Sequence, residues 1–332
     1  MKESFIKLDH GEGGAATQRL VQDVFLRHFG APETLEDAAV LPGFSRIAMT
    51  TDSFVVRPLE FPGGDIGKLA VAGTVNDLAV TGAIPKAISA AFILEEGLEL
   101  TLLDRVVASM AATCRESGIR VVTGDTKVVG RGEADGMFIN TTGLGFVPEN
   151  RNLNSAMCRE GDVVLVSGSL GEHGTAVMVA REGFGLEGHL KSDCQPLADL
   201  AEALLAAAPG VRCMRDPTRG GLATTLTEIA GASKCGILLQ EAMVPISAPV
   251  RAACGLLGLD PLYIACEGRL LAVVPPGQAD AALNALLAHP KGKGAAIIGE
   301  IRKDPKGVAL RTLAGGHRPL LALEGAQLPR IC

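Results

Sequence analysis

"VPENRNLNSAMCREGD", residues 147–162, divides the sequence in two. The stretch is polar, dense in turn-forming residues and broken by Pro148, while an apolar run ends at its first residue and another opens at Asp162. A chain of 332 residues is too long for one ordinary compact domain. It suits two domains of roughly 150 residues, each able to bury a core. The expected organisation is a domain over residues 1–150, a second over 151–310, and a mobile tail over 311–332, where Gly315, Gly316, Pro319, Gly325 and Pro329 break every pattern.

Outward from that boundary, strands and helices alternate. On the N-terminal side a helical period runs over residues 17–29, with Leu20, Val21, Val24 and Phe25 on one face and Gly30 and Pro32 as the stop. Extended segments follow at 46–51 and 53–56, then a small-residue helix at 66–81. A helix over 101–117 is expected to open on Thr101 and Asp104 as a capping pair and to close at Gly118. Strands follow at 119–123 and 136–147. On the C-terminal side strands are expected at 162–167, 237–240 and 270–274, with helices at 196–207, after Pro217, and at 278–288. This alternation predicts an α/β fold of the α+β type, two sheet-plus-helix domains.

Composition excludes several classes. A net charge of −6 and a pI near 5.6, with Lys and Arg scattered, leave no basic patch for nucleic acid. The opening MKESFIKLD has no apolar core of a signal peptide, and no stretch approaches the roughly 20 apolar residues that span a bilayer. A cytoplasmic protein is expected. The 8 cysteines contain no C-x-x-C pair, so most should be small core residues, as Cys114 is beside Val106, Val107 and Met110 on a helix face. Cys332 is different because the sequence stops on it; with 8 cysteines in 332 residues, chance alone does so about once in forty. It is no prenylation signal, which needs the cysteine four residues from the end.

The chemistry-bearing motifs are acidic. Asp37 in "LEDAAVL", Asp52 in "MTTDSF", Asp77 in "VNDLAV" and Asp125 in "VTGDTKVV" each adjoin apolar runs, where an unpartnered carboxylate is costly. Any one could cap a helix or a turn; four hard oxygen donors in one domain point to Mg²⁺ bridging carboxylates to the phosphates of a nucleotide. Gly11, Gly13 and Gly14 in "DHGEGGAATQRL" precede a helix and could offer backbone N–H groups to an anion. The same stretch fits G-x-G-x-x-A, but "SFIKLD" is short and polar for the central strand of a dinucleotide fold, and "GGDIGKLA" lacks Walker A spacing. In the other half, "RDPTRGGLATTL" sets Asp216, Thr218, Arg219 and Gly220 at a helix start, either an anion site or an ordinary capped helix. In "ACEGRLL", Glu267 and Arg269 are either a solvated ion pair or a general base and its partner.

Together the acidic set, "GDTKVV", "RDPTRGG", "FPGGDIGKLAVAGTVNDLAVTGAIP", "FILEEGL" and the final "PRIC" resemble the HypE family of hydrogenase maturation proteins. That family lies within the superfamily of ATP-using enzymes that includes aminoimidazole ribonucleotide synthetase, selenophosphate synthetase and thiamine-monophosphate kinase. The resemblance covers essentially the whole chain; the nucleotide motifs indicate an ATP user, and "PRIC" is the specific element. Glu12 departs from it, standing where a small polar residue is more usual.

The resemblance implies an aminoimidazole ribonucleotide synthetase fold and a homodimer joined through the N-terminal sheets. It implies that a carbamoyltransferase partner loads Cys332 with a carbamoyl group, and that ATP-dependent dehydration turns it into a thiocyanate. The cyano group then passes to iron in a hydrogenase maturation complex. ATP and Mg²⁺ are the implied cofactors, with Asp37, Asp52, Asp77 and Asp125 on the metal. Gly11, Gly13, Gly14, Asn76, Asp216, Thr218, Arg219 and Gly220 would contact the nucleotide. Cys332, Lys127 and Glu267 would be catalytic, Lys127 at the phosphate or carboxamide oxygen and Glu267 taking an amide proton. The alternative is a small-molecule kinase or synthetase of the same superfamily, with Cys332 incidental.

Overall fold

The computed structural model describes residues 4–11, 15–30, 45–182, 190–304, 306–323 and 331–332. Gly13, Gly14, Asp37 and Arg330 lie outside them. The first helical region is α1 (Ala15–Leu20), a wider π-type turn over Val21–Leu26, and α2 (Arg27–Phe29), which buries Val24 and Phe25. Strand β1 (Ile47–Phe54) is continuous across the two extended segments expected there, and the short pair β2 (Glu60–Phe61) and β3 (Gly64–Asp65) leads into α3 (Ile66–Val80). Then come β4 (Ile84–Glu95), α4 (Leu100–Glu116), β5 (Arg120–Val129) and β6 (Met137–Phe146).

Helix α3 organises this half. Asp65 caps it, its carboxylate accepting from the N–H groups of Gly67 and Lys68 at 2.8 and 3.0 Å. The sequence IGKLAVAGTVNDLAV then buries residues on every side, as expected of a helix enclosed by protein. It lies on one face of a four-stranded sheet ordered β1-β6-β4-β5, antiparallel except for β4 and β5, which α4 joins by a crossover. The opposite face carries Ile47 and Met49, 59% and 70% exposed, and Ile93, 43% exposed. Helix α4 starts one residue earlier than the capping pattern predicts, with Glu99 at the N-cap and no side-chain cap. Asp104 instead accepts from His28 and Arg27.

The second half contains β7 (Val163–Val166), α5 (Glu172–Glu182), α6 (Ala198–Ala207), β8 (Cys213–Arg215), α7 (Gly221–Ser233) and β9 (Gly236–Gln240). It continues with α8 (Ala248–Leu257), β10 (Leu271–Val274), α9 (Ala279–Ala288), β11 (Ala296–Arg302), β12 (Gly307–Arg311) and β13 (His317–Leu320). Seven strands pair in the order β13-β12-β9-β11-β7-β10-β8. Val164 and Val166 face a cluster with α7, while Leu165 faces α6 and α9, so the central strands read as unbroken apolar runs. Strand β13 corrects the expected tail: residues 317–320 close the sheet edge against β12 instead of moving as an arm.

The stretch at 147–162 is a junction held from both sides. Arg151 donates to the Gly82 carbonyl at the end of α3 and to both carboxylate oxygens of Glu202 on α6, and Arg46 donates to the Pro148 and Arg151 carbonyls. The cores are shared as well. Ala79 and Val80 of α3 pack among Leu165, Leu200 and Leu204, while Val177, Ala265 and Ile331 pack into the N-terminal cluster. No described helix is long and apolar enough to cross a membrane.

Candidate active site

Alternation along β1 turns Thr50, Asp52 and Phe54 toward α3. Thr50 Oγ1 donates to Asp77 Oδ2 at 2.8 Å, bringing the strand carboxylate and the helix carboxylate to one place. Asp216 follows β8 and joins them from the other half. Thr50, Asp77, Asp216 and Thr218 line a cleft of about 450 Å³ between the two sheets. Burial raises all three carboxyls, Asp216 to about 7, and their mutual repulsion adds to it: Asp52 raises Asp77, while Asp77 and then Asp52 raise Asp216. Arg219, acting on Asp52, and Arg215, acting on Asp77 and Asp216, oppose the rise without cancelling it. The glycines of "RDPTRGG" shape the turn beside it: Gly220 and Gly221 have φ of +79° and +58°, and a Cβ on Gly221 would stand 2.7 Å from the Leu262 and Ile264 carbonyl oxygens.

Cys332 is docked at this site. The Val55 N–H donates to a backbone oxygen of Cys332 at 3.2 Å, His173 Nε2 donates to the Ile331 carbonyl at 2.6 Å, and Ile331 is buried in the N-terminal core. Burial pushes the Cys332 thiol up to about 12; the charges of Glu267 and Asp52 push the same way and Arg219 opposes them. Those three side chains are close enough for their charges to act on the thiol. Glu267 is itself buried, its carboxyl held well above the ordinary range by burial and by Asp216 and Asp193, and its Oε1 has no hydrogen-bond partner. A Cβ on Gly73 of α3 would lie 3.9 Å from Glu267 Oε2, which places the carboxyl against that helix.

Residues 35–147 match the model of the AIR synthase related protein N-terminal domain, and residues 159–311 that of the C-terminal domain. Carbamoyl dehydratase HypE of Rhodobacter capsulatus is 49% identical over 338 residues, covering 100% of this chain and 99% of that protein. The chain belongs to the HypE family of carbamoyl dehydratases. Among solved structures, hydrogenase maturation protein HypE in complex with ATP superposes with a TM-score of 0.95 at 48% identity, covering 98% of this chain and 99% of that one. HypE in a HypE–HypF complex gives 0.82 at 43% identity, covering 93% and 100%.

Within this HypE-family fold the residues expected at the site divide. Asp52, Asp77, Asp216, Thr218, Arg219, Gly220, Glu267 and Cys332 gather at or beside the cleft. Asp125 and Lys127 do not join them in one chain. Their strand β5 is the sheet edge opposite β1, about 14 Å away at three strand spacings. They also face away from α3, because Asp125 pairs through Ala91 with Asn140, whose neighbour Thr141 is the residue bonded to Thr74 of α3. There Lys127 donates to Asp125 at 3.1 Å and holds that carboxyl below its ordinary range. Asn76, expected at the nucleotide, is committed elsewhere: its Nδ2 donates to the Gln195 and Glu267 carbonyls and its Oδ1 accepts from the Leu197 N–H. It positions Glu267. Gly11 ends a 3₁₀ turn over Leu8–Gly11.

Arg269 is not the partner of Glu267; it donates to Glu172 and lies 3.5 Å from Asp193. Two contributors escaped the sequence reading, His173 and Asp193. Their only signal was a polar residue inside an apolar stretch, which many core positions share. Of the internal cysteines, Cys114, Cys158, Cys194, Cys213, Cys254 and Cys266 are buried and Cys235 is half-buried.

Proposed function

We propose that the chain dehydrates an S-carbamoyl group on its own Cys332 to a thiocyanate, using ATP, and so supplies the cyanide ligand of iron in hydrogenase maturation. The carrying observation is the docked end of the chain, held by Val55 and His173, with Cys332 within reach of the charges of Glu267, Asp52 and Arg219. An amide oxygen does not leave as hydroxide at neutral pH, so it must be activated. The carbonyl oxygen takes the γ-phosphoryl group of ATP while the nitrogen gives up one proton; the C–O bond then breaks, phosphate leaves with the oxygen, and loss of the second N–H proton forms the C≡N bond. Glu267, with raised proton affinity and an unpartnered oxygen, is the group placed to take an amide proton.

The donor set fits Mg²⁺. Asp52, Asp77 and Asp216 are hard oxygen donors whose charges raise one another's proton affinity beyond what Arg215 and Arg219 offset, the kind of set that shares an ion with phosphate oxygens. These three, with Asp37, would hold it. When bound, it supplies charge neutralisation for the triphosphate during transfer. Thr218 and the Gly220 turn would meet the nucleotide.

The exposed apolar face of the four-stranded sheet supports a homodimer. With β5 of a second copy beside β1, Asp125 and Lys127 from that copy would reach the Asp52 side of the cleft, the role their own chain does not let them fill. The complex of a HypE with HypF supports a carbamoyltransferase as the loading partner. An iron-carrying maturation complex is the cyano acceptor, in the cytoplasm, and residues 1–150 and 151–310 remain the working division into a nucleotide and dimer domain and a second α/β domain.

Intact-protein mass spectrometry tests the reading. After incubation with carbamoyl phosphate and an active carbamoyltransferase, the wild-type chain should gain one carbamoyl group and Cys332→Ala none. Addition of MgATP should then remove one water from the adduct. Absence of a Cys332-dependent adduct would favour the small-molecule kinase or synthetase reading.

A further inference from the structure

The side chain of His173 is sealed inside the protein, on α5 of the second half, and one of its two ring nitrogens meets the backbone of the penultimate residue. The Ile331 carbonyl can only accept, so Nε2 must carry a hydrogen. Nδ1 lies 2.7 Å from Ser192 Oγ, and that oxygen already accepts from the Cys194 N–H at 3.0 Å. With its hydrogen on Nε2 the neutral ring leaves Nδ1 bare, and the serine hydroxyl donates to it. One chain of bonds results, running from the Cys194 N–H through Ser192 and the imidazole to the Ile331 carbonyl, and a neutral histidine satisfies it in a single tautomer. Burial, which lowers the His173 pKa to about 4, keeps it neutral near pH 7. The edge of the contact with Phe61, rings at 5.4 Å and 85°, fixes the ring plane.

We propose that His173 is a positioning residue for the dehydration, a latch that holds the end of the chain with the Cys332 sulfur at Glu267. The proposal rests on the reading of Cys332 as carrier. His173 acts through the peptide carbonyl that precedes Cys332, while the Val55 N–H takes a backbone oxygen of Cys332 itself. When Cys332 leaves to be loaded, the Nε2–H gives up this acceptor, so the bond favours the docked end of the chain. Ser192 sets the tautomer, so its loss weakens the same bond from one step away.

The test measures alkylation of the full-length chain by iodoacetamide, with each cysteine followed by peptide mass spectrometry. In His173→Gln and in the milder Ser192→Ala, labelling of Cys332 should rise about five-fold, the worth of roughly one hydrogen bond in the docking equilibrium, while half-buried Cys235 labels at the wild-type rate. Carbamoyl loading of both variants should match or exceed wild type, and the ATP-dependent loss of water should slow. Unchanged Cys332 labelling in Ser192→Ala and His173→Gln would overturn the latch, as would a rise in step with Cys235, which reports general loosening. If the wild-type chain takes no carbamoyl group, the carrier reading fails instead, and the labelling arm still decides whether His173 holds the end of the chain.

Discussion

His173 also ties stability to pH. Its pKa in the folded chain, about 4, lies below the ordinary 6.5, so between those values the unfolded chain binds the proton and the folded chain does not. Stabilisation by the neutral imidazole is complete above about pH 6.5 and is lost as pH falls toward 4. Over that window wild type should lose roughly 3 kcal/mol more than His173→Gln, read from urea unfolding at a series of pH values. Equal losses would place the imidazole in solvent. At this scale the sequence was most informative where chemistry is expensive: of the carboxylates beside apolar runs, Asp52 and Asp77 gather, joined by Asp216 from the helix-start turn, while Asp125 does not. It was least informative where a side chain bonds to distant backbone. Nothing in "VNDLAV" says that Asn76 meets residues 195, 197 and 267. Nor does "GDTKVV" say which sheet face Asp125 and Lys127 occupy, because the register shift between Ile88 and Ser89 in the β4–β5 pairing is a property of two strands together.

Among elements, α3 was legible because fifteen residues of small and apolar character, bounded by Asp65 and Thr81, fit only a helix enclosed by protein. Its glycines show how close that enclosure is. A Cβ on Gly67 would stand 2.4 Å from the Val106 carbonyl oxygen of α4, a backbone atom that cannot move aside. Gly67→Ala should therefore lower stability by about 1–3 kcal/mol despite alanine's better helix propensity, as a fall in the thermal midpoint. A neutral or stabilising result would mean that α3 and α4 can separate without loss. Strand β4 was missed for a related reason: IPKAISAAFILE has small residues on both faces and no alternation, so its twelve residues carry no period-two signal. The Thr101 cap misled because S/T-x-x-D is only a local pattern, whereas the helix start is set where Ser4 accepts from the Leu100 N–H and the chain bonds across to Phe5.

For the molecule as a whole, the boundary stretch marked two sheets but could not reveal that they share cores. Ala79 and Val80 at the end of α3 belong to the cluster of the second half, and Arg151 fastens the junction to Gly82 and Glu202. Scanning calorimetry should accordingly give one cooperative transition, with calorimetric and van't Hoff enthalpies agreeing per cooperative unit. Two resolved transitions would show that the halves fold independently. The position of residues 331–332 was equally hidden in the sequence, since "PRIC" indicates a carrier without saying where it rests.

That resting place changes the kinetics expected of the enzyme. On the proposed reading, with the reacting group carried on Cys332, the substrate would be part of the catalyst, and its local concentration would be set by the length of the chain rather than by any dissolved pool. Dehydration is then first order in loaded protein and indifferent to dilution. Saturation would then belong to ATP and to the loading partner alone, and each loading of Cys332 would yield a single cyano group.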